Sequence, residues 1–399
     1  MGRIKNVAIY SAIGSSINLS DPRGAGKEAV ADAIQILGRE PHIIFAFSSV
    51  KYDQEKLVAG MSEARGNATL VGCSAAGEIT SHATTFDRVI VMAVHAPGIK
   101  FSVGVGKGAG ADSHKAGADA AKAVLDAAGG KIDLFVMIPE GLTGNGSAIV
   151  RGVQSVLGKN FPISGGSAGD DYLFKKTWQY MNGELLTDSV IGVGLSGDFA
   201  FGLGVRHGWE PIGLPLKVTK SEGAVLKELD GKPALKIYED YFGKEAEELI
   251  KEPIARMAYT YPLGMSVEGS NEFLIRDPVI ANEKGEITLA GEIPQGKTVR
   301  LMIGDRDRAI AAAKDAAETA LADLGGKNPQ VVIMFNCMAR NRLLGVRCSE
   351  ENEAVQNVFG PAAKMIGFYT YGEQGPLLGK KGTPAYFHNE TMNLVVLGD

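Results

Sequence analysis

Three stretches of the chain end an apolar run in small residues and a carboxylate: ATLVGCSAAGE (68–78), FPISGGSAGDD (161–171) and KMIGFYTYGEQG (364–375). Each follows the same order of signals. An apolar run fit for a buried strand (IIFAFS, LFVMIP or VVIMFNC) leads into a helical pattern, and a second apolar run carries the signature. The spacing from first strand to signature is about 30 residues, the size of a strand–helix–strand unit. Ligands of open α/β sheets bind at the carboxyl ends of strands, where small residues let backbone come close. The repetition therefore predicts carboxylate-bearing tips meeting around one pocket.

The remaining signals fit that frame. KYDQEKLVAGMSEARG, the alanine-rich segment from Asp112 to Ala128, and DRDRAIAAAKDAAETALADLGG read as helices stopped by glycine. Asn182-Gly183 between strand-like flanks predicts a hairpin. KPALKIYEDYFGKEAEELI reads as a helical stretch, and residues 273–305 as strand and turn. The expected fold class is α/β: two lobes, each a mixed β-sheet flanked by helices, with an interlobe cleft. The expected divisions are a lead-in strand and helix at 1–40, one domain over 41–225 and another over 226–399.

A chain of 399 residues exceeds one ordinary core, and 45% hydrophobic with 22% charged residues is a globular composition. The net charge of -5, without a basic stripe, argues against nucleic acid and acidic membranes as partners. No run approaches the apolar length of a membrane span, and Asn6 stands where a myristoylation signal begun at Gly2 needs Ser or Thr. Three scattered cysteines predict reduced thiols and a cytoplasmic location.

Candidate chemistry is sparse. Gly165–Gly169 spells the G-x-S-x-G of a nucleophile elbow around Ser167, but an aromatic stretch and a hairpin follow where a helix is needed. Cys73 and Cys337 could act as thiolates, although a small buried hydrophobe is the commoner role. GAGKE at 24–28 lacks the first glycine and the Ser/Thr of a phosphate loop. The loop EGLTGNGS (140–147), with Gly144 and Asn145, suits either an anion cradle before a helix or a plain tight turn. Arg340, past the strand that carries Asn336, could grip a carboxylate or pair with Glu373, Asp170 or Asp171. His207 and His388 flank aromatic strands; each is a metal or haem ligand or a satisfied structural histidine.

Taken in order, VGCSAAGEI, GLTGNG, FPISGGSAGDD and the HGW stretch resemble the N-terminal half of the FIST family. LKELDGKPALKIYEDYFG, FLIRDPV, VVIMFNCMARNRLLG and YTYGEQGP–HNETMNLVVL resemble its C-terminal half. The resemblance implies a sensory module, not an enzyme, that binds a small molecule such as an amino acid or another carboxylate. Its output would pass to a separate histidine kinase or cyclic-di-GMP enzyme, and a homodimer is compatible with it. Stand-alone members imply a haem-binding nitric oxide sensor as an alternative, with His207 or His388 as the ligand. A protein-interaction adaptor or an unrecognised hydrolase is the second alternative. No other cofactor is expected. The ligand-facing residues expected at the strand ends and the glycine loop are Cys73, Ser74, Glu78, Gly144, Asn145, Gly166, Ser167, Asp170, Asn336, Arg340 and Glu373.

Overall fold

The computed structural model describes residues 8–81, 83–253 and 256–399. Residues 1–7 of the expected lead-in segment lie outside the described residues. The apolar runs become strands that build one unit three times over. The first unit has strands Tyr10–Ser16, Ile43–Ser48, Thr69–Ser74 and Val89–His95, with helices Pro22–Leu37 and Gln54–Ala64. The second has Ile99–Lys107, Leu134–Pro139, Ile163–Gly166 and Ser189–Gly197, with helices Ser113–Ala128 and Gly146–Leu157. The third has Ala200–Arg206, Pro329–Cys337, Lys364–Thr370 and Met392–Gly398, with helices Arg306–Ala322 and Cys348–Phe359. In every unit the spatial order is first, fourth, second, third strand, and only the second and third run parallel. The strand and helix of the expected lead-in are thus the opening pair of the first unit.

A short hairpin follows the third strand of each unit and pairs with a neighbouring unit. Glu78–Thr80 joins the third unit's third strand, Gln179–Met181 the first unit's, and Glu373–Pro376 the second unit's. The exchange is cyclic and links the three sheets into a ring. Their inner faces share one core, in which Phe45, Val71, Val136, Ile191, Phe335 and Phe368 meet. The helices cover the outer faces. Glycine recurs at one register position of each third strand: a Cβ on Gly72, Gly165 or Gly367 would overlap the carbonyl oxygen of Ala46, Met137 or Met334 on the parallel neighbour.

The second lobe is an insertion in the third unit. Strand Glu210–Glu222 leaves the body and pairs antiparallel with Thr298–Ile303, which returns the chain beside its exit point, Glu210 opposite Ile303. Between them lie short strands and helices around a separate core that includes Leu226, Tyr238, Leu249, Leu263 and Leu301. The helical stretch expected from Lys232 is shorter and broken: Gly243, at φ 58°, ends helix Lys236–Phe242, and a 3-10 turn precedes Glu248–Lys251. The fold is α/β with mixed sheets flanked by helices and two lobes. Residue 225 begins a strand of the insertion, and hairpin exchange mixes both halves of the chain. No helix among the described residues is long and apolar enough to cross a membrane.

Candidate functional site

The three signatures meet through their backbones. The Gly169 N–H donates to Ser74 O (3.0 Å), Ala76 N–H to Tyr369 O (3.0 Å) and Tyr371 N–H to Ser167 O (3.2 Å), so each unit's tip is tied to the next. The small residues serve this close approach. Ser74 Oγ extends it, donating to Gly169 O at 2.6 Å and accepting from Trp178 N–H at 2.9 Å. A Cβ on Gly166 would run into Thr370 and Phe335.

Beside this junction, between body and insertion, lies a cavity of about 330 Å³. Its body wall is the glycine loop Gly141–Gly146 with Ser167, Cys337 and Asn389; its insertion wall includes Asp277, Thr288, Ala290 and Glu292. Asn145 caps the Gly146–Leu157 helix, its Oδ1 accepting from Ala148 N–H at 3.0 Å. That leaves other first-turn N–H groups free of intrahelical partners and facing the loop. Phe174 stacks on Tyr371 with centroids 5.1 Å apart, and both rings line the cavity.

The loop carrying Phe174 holds three non-glycine residues in the left-handed region: Asp171, Tyr172 and Phe174, at φ 53°, 64° and 51°. Bulky residues adopt that conformation only when their surroundings enforce it. Asp170 does so. Its carboxylate accepts from the N–H groups of Phe174 (2.9 Å), Lys175 (2.6 Å) and Lys176 (2.9 Å) and from the Tyr371 hydroxyl (2.5 Å).

Of the expected ligand-facing residues, Gly144, Asn145 and Ser167 line the cavity, and the others do not. Cys73 is wholly buried in the shared core, where burial pushes its thiol well up, away from a reactive thiolate. Glu78 is buried, its carboxylate oxygens without a hydrogen-bond partner among the described residues, and burial raises it far above an ordinary carboxylate. Glu373 is buried and raised to about 8, held by the Thr370 hydroxyl and by Thr391 through N–H (3.2 Å) and Oγ1 (2.6 Å). The carboxylate tips therefore support the junction and do not converge on the cavity. Asn336 donates to Glu351 at 2.6 Å.

Arg340 grips no ligand, and none of the expected partners. Its fully buried guanidinium forms an ion pair with Glu351, and its remaining N–H groups reach the carbonyls of Ala309 (2.7 Å), Glu390 (3.1 Å) and His207. Every donor is occupied, so the charge is structural.

Neither histidine named as a haem candidate lines the cavity, although His207 Nε2 has no hydrogen-bond partner among the described residues. His388 Nε2 lies 2.9 Å from the Gly375 carbonyl, and His207 Nδ1 accepts from Trp209 N–H at 3.0 Å. Burial lowers them to about 4 and about 3, which keeps both neutral. Ser167 follows a strand that runs on into a loop and a hairpin, without the strand-to-helix turn of a nucleophile elbow, and its Oγ accepts from Gln374 Nε2 at 2.9 Å.

Sequence reasoning missed the insertion's contribution. Asp277, in FLIRDPV, and Asn389-Glu390, in HNET, lie in stretches that carried the family resemblance, which was the available signal. Glu292 had none. It accepts from Asn145 Nδ2 at 2.9 Å and pairs with Arg151, spanning the lobe boundary. Burial opposes its charge, but the hydrogen bonds from Arg151 and Asn145 outweigh burial and lower it.

A family model for the FIST N domain matches residues 42–232, and one for the FIST C domain matches 234–376. An uncharacterized protein of Mycobacterium tuberculosis is 31% identical over 242 residues, 59% of this chain and 57% of the relative. An uncharacterized Methanocaldococcus jannaschii protein is 28% identical over 234 residues, 56% of this chain and 43% of the relative. The match thus spans about half the length of these curated relatives. Among solved structures, a cyanuric acid hydrolase from A. caulinodans aligns over 98% of this chain and 99% of its own, at 9% identity and a TM-score of 0.38.

Proposed function

The chain belongs to the FIST family, with the N domain preceding the C domain, and on that premise we propose that it senses a small molecule held between its lobes. FIST domains are sensory domains of signalling proteins. The single observation that carries the reading is the interlobe cavity, about 330 Å³ and walled by both lobes. A ligand there contacts the body and the insertion together and so favours one arrangement of the two. A useful bias between arrangements takes about 1–3 kcal/mol of differential binding.

The lining favours a zwitterion of amino-acid type. Its ammonium group would face Glu292, the charged carboxylate of the insertion wall. Its carboxylate would face the N-terminus of the Gly146–Leu157 helix, where N–H groups and the helix dipole favour negative charge. The Phe174–Tyr371 stack offers an apolar wall. Output would pass to a separate signalling protein, a histidine kinase or a cyclic-di-GMP enzyme.

The test is a thermal-shift and calorimetric screen of amino acids and related amines, alongside mass spectrometry of whatever co-purifies. A true ligand at a hundredfold its Kd adds about 2.7 kcal/mol of stability. Filling the cavity with Ala290→Phe should abolish that gain. A ligand that stabilises wild type and Ala290→Phe equally binds elsewhere, and the proposal fails.

A further inference from the structure

Three acidic side chains from distant parts of the chain converge at the cavity floor. Asp277 is pinned between insertion strands Phe273–Arg276 and Pro278–Ala281. Cys337 ends the third unit's second strand. Glu390 lies in the turn before Met392–Gly398, itself in the left-handed region at φ 58°. One ligand atom from each falls within 4.8 Å of the other two, and all three residues are buried.

Among the described residues no donor outside the cluster satisfies it; Asp277 and Glu390 bond only to each other, through a retained proton. Apart from that proton, Asp277 Oδ1 and both Glu390 carboxylate oxygens are buried without a hydrogen-bond donor. Asn389 Oδ1, from the 2% exposed neighbour of Glu390, is likewise unpartnered, and Asn389 lines the same cavity. The nearest cations are committed elsewhere. Arg276 donates to the carbonyls of Ile275 (2.8 Å), Glu292 (2.9 Å) and Phe387 (3.1 Å), and Arg340 is saturated by Glu351 and backbone oxygens. Unpaired buried carboxylates are costly, and a bound ion or a retained proton is the usual remedy.

We propose that Asp277, Cys337 and Glu390 bind a divalent transition-metal ion of the zinc class, which joins the insertion to the body and keeps one position open to the cavity. One thiolate with two carboxylates is a donor set for zinc rather than for magnesium or calcium, which prefer oxygen alone. Three protein ligands leave a four-coordinate ion one further site, and Asp277 and Cys337 both face the cavity. Without the ion, burial holds Asp277 up at about 7 and raises Glu390 and Cys337 well above their ordinary values, so loading releases protons to solvent. The site does not depend on the sensor reading, because it can be filled and measured with the metal alone.

The experiment is a cobalt(II) titration of the full chain after treatment with a chelator. The expected result is a thiolate-to-cobalt charge-transfer band that saturates at one equivalent and is bleached by zinc(II). The half-exposed Cys348 is the competing thiol, so the band should persist in Cys348→Ser and vanish in Cys337→Ser. Asp277→Asn and Glu390→Gln should keep the thiolate but weaken cobalt binding by more than the roughly tenfold that loss of an outer partner costs. A wild type without the band shows that the cluster holds only protons, and the proposal is overturned. Loss of the band in Cys348→Ser, or its survival in Cys337→Ser, overturns it equally.

Discussion

The Asn145 side-chain nitrogen lies 2.9 Å from a Glu292 carboxylate oxygen, while Asn145 Oδ1 caps the Gly146–Leu157 helix at 3.0 Å. One residue thus starts a helix of the body and holds the inserted lobe against it. Arg151, on the next turn of that helix, adds an ion pair to the same carboxylate. The contact sits at the rim of the cavity, where a change in lobe position would be felt first.

Removing the outer half of this latch should loosen the lobe without unfolding the protein. Arg151 is 53% exposed in its side chain, so its pair with Glu292 is worth at most about 1 kcal/mol. Arg151→Ala is expected to leave the melting temperature within a few degrees while amide exchange over residues 277–292 quickens. Unchanged exchange there would show that the pair does not restrain the lobe.

The buried Arg340–Glu351 pair predicts the opposite behaviour. Both side chains are fully buried, so Arg340→Met strands a carboxylate and should cost about 3–5 kcal/mol in urea denaturation. Arg340→Met with Glu351→Leu removes both charges and should recover much of that loss. A double variant no more stable than the single one would mean that Arg340's bonds to the Ala309 and Glu390 carbonyls, and not the ion pair, are what the site needs.

Glu373 gives the fold a pH dependence of known sign. Burial raises it from 4.5 to about 8, so the folded state favours the protonated carboxyl. Its contribution is fully present below the unfolded value and is lost as pH rises through about 8. In the metal-free protein the Asp277–Glu390 pair, also raised by burial, pulls in the same direction. Stability should fall from pH 5 to 8, each full proton contributing about 1.4 kcal/mol per pH unit. Glu373→Gln, whose amide can still pair with Thr370 and Thr391, should flatten the slope by up to one proton. A series of melting temperatures across this window decides the matter, and identical slopes for the two proteins would refute the assignment.

Signals that act over a few residues are legible in the sequence alone. Asn182-Gly183 forms its hairpin with both residues at positive φ, 52° and 92°, as the dipeptide demands. Asn145 and Asp305 cap the helices that their positions announce. The glycine loop before Gly146 reaches the cavity because a strand end and a helix start are both written locally. For Cys337 the sequence favours a buried hydrophobe, since nothing in the chain says that Asp277 and Glu390 stand beside it.

By itself the sequence determined the strands, the helices and the threefold recurrence of small residues and carboxylates at strand ends, because periodicity, capping and turn chemistry are local. Tertiary structure alone decided which sheet each short hairpin strand would join, since its partner is chosen by the space left at a neighbour's edge. It also decided what the charged groups do. Arg340 met Glu351 and carbonyls, His388 met Gly375, and the signature carboxylates were drawn into the junction. Burial and the donors within reach set the role of a polar side chain, and both are properties of the assembled fold.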